Sequence, residues 1–202
     1  MYLAPAIFAF LFTFVLTLMA LKYFPKFGMM DRPWKYGLKR KPIPYYGGII
    51  IVAVFIVSTL IFVKVDSHVL AMLAGALMIA GVSFADDLFD LSPFLRLSIQ
   101  ILAAVTLTLG GIGISSISNP FGAPILLDQQ KITFALGGEI ISFSLLAALF
   151  TIIWVVAIVN TMNFLDGLNG LSSGVSDIAS LRILLLSIRP GIHFDLSSQI
   201  PV

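Results

Sequence analysis

Three acidic residues fall within five positions at the end of an apolar run: Asp86, Asp87 and Asp90. Neighbouring carboxylates repel one another, and a bound cation would relieve that repulsion. On a continuing helix, Asp86 and Asp87 are spaced four and three residues from Asp90, so the side chains could converge. Carboxylate oxygens suit Mg²⁺, which usually takes one or two carboxylates together with waters and substrate phosphates. The alternative is a solvated helix end.

A second polar cluster carries an amide or carboxylate at every third position. Its members are Asn160, Asn163, Asp166 and Asn169, with glycines at 167 and 170. A period of three lines one face only if the helix tightens towards 3₁₀ or unwinds, and glycine allows a ligand close to the backbone. The run could hold a metal, phosphates or a nucleoside. Helix termination is the alternative for 166–170, because Asp-Gly and Asn-Gly favour turns; it does not explain the earlier asparagines.

The third cluster is basic. Seven of the 12 lysine and arginine residues, at positions 22, 26, 32, 35, 39, 40 and 41, lie between the first two apolar runs. Such residues attract anionic lipid headgroups, and membrane topology alone also produces basic loops. Pro42 and Pro44 stiffen the chain where it re-enters the bilayer. Together the three clusters supply carboxylates, amides and cations, a combination that suits Mg²⁺-assisted phosphoryl transfer.

Membrane spans must position these clusters. Hydrophobic residues make up 59% of the 202 residues and charged residues 11%, with a mean hydropathy of +1.06, whereas soluble domains contain about 45–50% and about 25%. We therefore predict an all-α polytopic membrane protein. The apolar runs indicate six transmembrane helices at 3–23, 47–63, 69–85, 94–114, 143–159 and 171–188. A short β-hairpin outside the membrane is predicted over 125–134.

Charge distribution predicts the sidedness of the spans. The positive-inside rule makes the basic loop cytoplasmic, and alternation then places the N-terminus and 115–142 outside, and 86–93 and 160–170 inside. All three polar clusters therefore fall on the predicted cytoplasmic side. No positive segment follows Met1, which argues against a cleaved signal peptide. An ion-coupled transporter would need charged residues within several spans, and here Asp177 and Arg182 lie on the sixth alone.

The order and spacing of these clusters resemble the polyprenyl-phosphate N-acetylhexosamine-1-phosphate transferases of glycosyltransferase family 4. The matching segments are Asp31-Arg32-Pro33 with Ile43-Pro44 and Gly47-Gly48, Asp86-Asp87 with Leu91, Arg96 and Gln100, Asn160 to Gly167, and Gly170 to Gly174. The resemblance implies transfer of a sugar 1-phosphate, with GlcNAc as first choice, from a UDP-sugar to undecaprenyl phosphate. UMP is released, and the product starts cell-wall or surface polysaccharide synthesis.

The same resemblance implies roles for individual residues. Asp86 and Asp87 are the catalytic pair that handles the lipid phosphate, and Asn163 is associated with the metal. The substrate-binding residues of this prediction are Lys39, Lys41, Arg96, Asn160 and Asp166. Mg²⁺ is the implied cofactor, with Mn²⁺ as an alternative. The family usually has Lys at the position of Arg96, and often Asp at the position of Asn169.

The resemblance also implies partners, location and extent. The expected partners are a UDP-N-acetylhexosamine, polyprenyl phosphate and membrane lipids, with no nucleic acid, and a homodimer is left open. The expected location is the cell membrane, with the active face cytoplasmic. Residues 1–195 resemble the N-terminal part of the family, whose Gly-Asp-x-Gly-Ser metal segment is not found here. We expect one transferase domain over 1–202, truncated at its C-terminus; the alternative is an inactive fragment or non-catalytic membrane subunit.

Overall fold

The computed structural model describes residues 3–37, 39–45, 47–136, 139–167 and 170–188. Within these residues the chain forms six α-helices, one at each predicted position. They are α1 (Leu3–Tyr23), α2 (Gly47–Phe62), α3 (Ser67–Phe89), α4 (Pro93–Leu109), α5 (Leu145–Leu165) and α6 (Leu171–Ile188). Two 3₁₀ turns, Phe24–Phe27 and Pro33–Tyr36, lie in the basic loop between α1 and α2.

Three of the described helices are long and apolar enough to cross a membrane: α1 with the 3₁₀ turn that follows it, α3 and α5. Helices α2 and α4 are apolar but shorter, with 16 and 17 residues. Helix α6 has its predicted bounds and carries Asp177 and Arg182, and it is not one of the three. The mostly helical, polytopic fold is confirmed.

Two helix ends differ from the prediction in ways that matter for the polar clusters. Helix α3 continues past Ala85 to Phe89, so Asp86 and Asp87 lie on its last turn. Helix α5 continues past Val159 to Leu165. Apolar runs mark where a helix crosses lipid, whereas backbone hydrogen bonding carries the helix on into polar residues.

The chain divides into two compact units, Met1–Val156 and Ala157–Val202, with the division inside α5. In the first unit, α1 packs on α2, α2 on α3, and α3 on α4. Ala20, Ile50 and Val54 are buried where α1 and α2 meet. Ala103 and Ala104 on α4 have no exposed surface, as expected where small residues let membrane helices approach closely.

Close contacts fix the register of the α3–α4 hairpin. A Cβ added to Gly75 would lie 3.4 Å from the carbonyl oxygen of Ala103. One added to Gly110 would lie 2.1 Å from Cβ of Ala71, so the end of α4 rests directly on the start of α3. The Thr106 hydroxyl lies 3.8 Å from the Met78 sulfur. Glycine is therefore required at 110 for the two helices to pack in this register.

The segment after α4 forms two small antiparallel sheets. Strand β1 (Ser116–Ile117) pairs with β2 (Ile125–Leu126), and β3 (Lys131–Leu136) pairs with β4 (Glu139–Ser144). β-Hairpin structure is therefore present, but the predicted pairing within 125–134 is wrong. The break at 128–130 separates two sheets, because Leu127 is held by Ser115 and Ser144: its N–H donates to the Ser115 carbonyl (2.7 Å), and its carbonyl accepts from the Ser144 hydroxyl (2.6 Å).

Candidate functional site

The junction of α3 and α4 reverses the chain within three residues, 90–92. Asp90 adopts a left-handed conformation (φ 51°), which Asp tolerates better than most residues, and its N–H donates to the Asp86 carbonyl at 2.8 Å. The Ser92 hydroxyl then accepts from the N–H of Leu95, and Pro93 begins α4. A serine cap followed by proline is a favourable helix start. The first turn of α4 consequently lies beside the last turn of α3.

This junction brings Arg96 against Asp86. The guanidinium Nη1 lies 2.9 Å from Oδ2 of Asp86, and the two side chains are 29% and 23% exposed. The hairpin register explains the pairing, because each residue lies one helical turn from the reversal. Arg96 was predicted to contact a substrate anion, and the structure places it as the partner of a predicted catalytic carboxylate. A guanidinium has five donors and can hold a carboxylate and a phosphate together.

The three aspartates of this region do not form one metal cluster. Among the residues that the structure describes, no group of three or more acidic, histidine or cysteine side chains could hold a metal ion. The spacing allowed the three carboxylates to converge, but the structure does not bring them into one group. Helix α3 ends at Phe89, and the left-handed backbone at Asp90 takes its side chain out of the helical spacing. Asp86 and Asp87 remain adjacent on the last turn.

Asp31 closes the basic loop. Its Oδ1 accepts from the N–H of Ile43 at 2.7 Å, its own N–H donates to the Ile43 carbonyl at 2.9 Å, and its Oδ2 pairs with Arg40. The Asp31 side chain is only 11% exposed. These contacts tie the two arms of the loop together, and Pro33 is fully buried beside them in sequence. Sequence reasoning gave Asp31 no role, although it is the lone acidic residue among the seven basic ones.

Lys39 and Lys41 are exposed on either side of Arg40. Because Asp31 holds Arg40, these two lysines stand on a loop that is fixed at its base. Their exposed side chains suit the predicted anion contacts.

The asparagine cluster lies at the end of α5. The helix stays regular to Leu165, and the N–H of Asp166 donates to the Met162 carbonyl at 3.0 Å. Since an α-helix turns by about 100° per residue, side chains at 160, 163 and 166 fan around about a third of the helix and do not line one face. Asn160 is partly buried, and Asn163 and Asp166 are exposed. The tightened or unwound helix that a single face requires is absent over 160–165.

Helix termination explains the rest of this cluster, as the alternative interpretation held. Asp166 and Gly167 form a turn, with the N–H of Gly167 donating to the Phe164 carbonyl at 3.2 Å. Gly170 has a positive φ of 77° and precedes α6. Asn169 lies outside the described residues.

The donor chemistry at the end of α5 fits the implied Mg²⁺. Asn163 and Asp166 are three residues apart at the end of a helix and offer one amide and one carboxylate oxygen group. That set suits an ion that keeps several waters and takes its other ligands from substrate phosphates. It does not suit a cage made of protein alone.

Comparison with known proteins gives one positive result. Residues 69–197 match the family model described as Glycosyl transferase family 4. The matched range contains the Asp86–Arg96 pair and the asparagine cluster. Neither a curated protein nor a solved structure matches the chain. Because the match covers more than half of the 202 residues, the chain belongs to glycosyl transferase family 4.

Proposed function

We propose that this protein transfers N-acetylhexosamine 1-phosphate, GlcNAc 1-phosphate as first candidate, from the UDP-sugar to undecaprenyl phosphate and releases UMP. Family membership supports phosphoglycosyl transfer in general, with nucleotide-sugar and polyprenyl-phosphate substrates. The observation that carries the finer proposal is the Asp86–Arg96 pair, next to Asp87, at the joined ends of two membrane helices. It combines carboxylates and a cation where a lipid phosphate would meet a water-soluble substrate.

The proposed reaction exchanges one phosphoanhydride bond for another. An oxygen of the acceptor phosphate bonds to the phosphorus that carries the sugar, and the bond from that phosphorus to the UMP oxygen breaks. UMP leaves with the electron pair. Asp87, exposed on the last turn of α3, takes the proton of the acceptor phosphate when that phosphate is protonated, as a general base. The sugar keeps its bond to oxygen throughout.

Arg96 has two tasks in this scheme. It holds Asp86 at 2.9 Å, and its positive charge offsets the repulsion between the carboxylates and the incoming phosphate. Fixed charges of this kind lower the barrier without having to reorganise during the reaction. Lys39 and Lys41, on the pinned loop, supply further positive charge for the substrate phosphates.

The residues proposed to hold Mg²⁺, or Mn²⁺ in its place, are Asn163 and Asp166. When bound, the ion would neutralise charge on the diphosphate of the nucleotide sugar. Asn160 is one turn earlier on α5 and partly buried, and we assign its amide to hydrogen bonding with the nucleotide.

We place the active face on the cytoplasmic side of the cell membrane, with the N-terminus outside. The basis is the excess of lysine and arginine in the loop between α1 and α2. The lipid-linked product would start a cell-wall or surface polysaccharide.

An assay of UMP release by the purified protein tests the proposal, with UDP-GlcNAc, undecaprenyl phosphate and Mg²⁺ supplied. Release should require both substrates and should be lost in Asp87→Asn. The matched control is Asp66→Asn at the opposite end of α3, where the side chain accepts a hydrogen bond from Val69 that asparagine can also accept. No release from the unchanged protein would contradict the proposal and favour a non-catalytic membrane subunit.

A further inference from the structure

The connection from β1 to β2 displays an apolar surface. Residues 120–126 are all exposed, and each is a proline, a glycine or another apolar residue, so none of their side chains can form a hydrogen bond. Phe121 is 97% exposed, and Ile125 and Leu126 are 52% and 51% exposed. A run of consecutive exposed apolar residues is unfavourable in water and marks a contact surface. We call residues 120–126 the apolar loop.

Hydrogen bonds hold the apolar loop in a defined shape. The side-chain oxygen of Asn119 accepts from the N–H of Phe121 at 3.0 Å, and the Asn119 carbonyl accepts from the N–H of Gly122 at 3.4 Å. Strands β1 and β2 pair at the base of the loop. A side chain that is already presented on an ordered turn loses little conformational freedom when it is buried against a partner. The Phe121 ring is therefore ready to be buried.

Contacts with α5 place the base of this hairpin at the edge of the membrane. Helix α5 has 21 apolar-rich residues and rises about 31 Å, close to the hydrocarbon thickness of about 30 Å, so Leu145 at its start lies at one edge of the hydrocarbon. The Ser144 hydroxyl donates to the Leu127 carbonyl at 2.6 Å, and the Thr151 hydroxyl accepts from the N–H of Ile114 at 2.9 Å. Because residues 114 and 127 flank the hairpin, the hairpin leaves α5 at this edge.

Charge distribution distinguishes the apolar loop from the sheet that follows it. No charged residue occurs in the sequence between Arg96 and Asp128. The next hairpin, of β3 and β4, follows Asp128 and carries Lys131 and Glu139. Charged side chains keep a surface in water, whereas apolar faces with phenylalanine and leucine enter the boundary between lipid headgroups and acyl chains. Of these two neighbouring hairpins, the first has the composition that suits lipid.

The small size of the apolar loop also favours lipid over protein as its partner. A stable interface between proteins takes about 20–30 residues from each side, whereas the apolar loop has only the residues 120–126. Lipid needs no complementary shape, and it is present at the edge where the hairpin begins.

We propose that the apolar loop inserts into the lipid interface beside the start of α5, with the Phe121 ring at the boundary between headgroups and acyl chains. Since the loop carries no charge, it enters a zwitterionic bilayer without anionic lipid. The insertion fastens the segment between α4 and α5 to the membrane, at the end of α4 opposite the Asp86–Arg96 pair. None of the residues in the loop belongs to the proposed transfer site.

A single nitroxide label tests the proposal, because the sequence has no cysteine. The label is attached through Ala123→Cys, which leaves Phe121 in place, and the full chain is reconstituted in phosphatidylcholine vesicles. In power-saturation electron paramagnetic resonance, oxygen, which concentrates among acyl chains, should relax this label more strongly than a water-soluble nickel complex does. The matched control is a label at Gln130→Cys, an exposed position just before β3, which should show the reverse order.

A second substitution tests the role of the Phe121 ring with the reporter unchanged. Phe121→Asp, made in the Ala123-labelled chain, should bring the label into water and reverse the order of the two relaxing agents. The fold should be kept, because the ring is 97% exposed. Ile132→Asp on β3, where the side chain is 49% exposed, adds the same charge to the neighbouring hairpin and should leave the Ala123 label unchanged.

Three outcomes would overturn the proposal. The first is greater access of the nickel complex than of oxygen to the Ala123 label, as at Gln130. The second is shielding of the label from both agents, which would show that protein, such as a second copy of the chain, covers the loop. The third is an unchanged label in Phe121→Asp. None of these measurements uses UMP release, so failure here is separate from failure of the proposed reaction.

Discussion

Two aspartate–arginine pairs in this chain have the same chemistry and different surroundings. In the basic loop, Asp31 is 11% exposed, Arg40 is 45% exposed, and the aspartate also accepts a backbone hydrogen bond from Ile43. At the α3–α4 junction, Asp86 and Arg96 are 23% and 29% exposed. One carboxylate is enclosed by its own loop, whereas the other stays accessible beside a second carboxylate.

This difference in exposure indicates that the Asp31–Arg40 pair stabilises the loop, whereas the Asp86–Arg96 pair is suited to catalysis. A carboxylate that is nearly buried and has a partner at each oxygen contributes to stability and is costly to remove. A partly exposed ion pair contributes about 1 kcal/mol or less, so stability alone gives little reason for Asp86 and Arg96 to be paired. Accessibility, adjacency to Asp87 and family membership favour a functional role for the second pair.

The largest expected effect is on catalysis at the second pair. Asp86→Asn should lower kcat/KM for UMP release about 10²–10³-fold, the usual cost of removing one fixed electrostatic group from an active site. The thermal unfolding midpoint should change little, because the ion pair is partly exposed. Steady-state assays and thermal unfolding in the same detergent measure the two effects. A large fall in the midpoint with proportionate loss of activity would instead make Asp86 structural, like Asp31.

The next effect concerns the helix register that brings Arg96 to Asp86. Gly110→Ala should destabilise the α3–α4 hairpin by about 1–3 kcal/mol, the usual cost of overpacking, because its Cβ would lie 2.1 Å from that of Ala71. The added change Ala71→Gly should restore stability. Gly81→Ala is the control, since a Cβ there meets nothing within 4 Å. Equal unfolding midpoints for the Gly110 and Gly81 variants would show that this contact does not set the register.

A smaller, local effect is expected at the first pair. Asp31→Ala should open the basic loop, and trypsin should then cleave after residues 39 and 40 about tenfold faster or more, since a hydrogen bond to a charged group contributes about 1.5–3 kcal/mol. Asp31→Asn, which can still accept from Ile43, should be intermediate. Timed digestion followed by mass spectrometry gives the rates. Unchanged cleavage in Asp31→Ala would mean that the loop does not depend on this pair.

Sequence patterns predicted the helices well because lipid imposes long apolar runs on them. All six predicted helices are present among the described residues, and α1 and α6 match at both ends. Ends set by hydrogen bonds and capping were missed: α3 runs four residues beyond Ala85 to Phe89, and α4 stops at Leu109, before Gly111 with its positive φ of 80°. Polar residues at a helix end look the same in sequence whether the helix includes them or not.

Contacts between secondary-structure elements could not be predicted from the sequence patterns. The family resemblance predicted a basic residue with a role in binding at position 96. It could not predict the ion pair with Asp86, because that pair depends on the α3–α4 register, which is set by the close contacts at Gly110 and Gly75. The predicted β-strand pairing was wrong for a similar reason. It depends on a contact between distant residues, the hydrogen bond that the Ser144 hydroxyl donates to the Leu127 carbonyl. The roles of Asn163, Asp166, Lys39 and Lys41 stay predictions, because each role is the binding of a metal ion or a substrate.

The smallest expected effect distinguishes charge from geometry at Arg96. Arg96→Lys should keep most activity, with kcat/KM lowered less than about tenfold, because charge is retained while the forked guanidinium is lost. Arg96→Gln, which loses the charge, should be clearly worse, so rescue by lysine is the readout that a merely structural residue would not give. The matched change Arg40→Lys should leave UMP release almost unaltered, because Arg40 serves the loop. Equal losses in Arg96→Lys and Arg96→Gln would show that the shape of the guanidinium matters more than its charge. An equal loss in Arg40→Lys would remove the functional distinction between the two pairs.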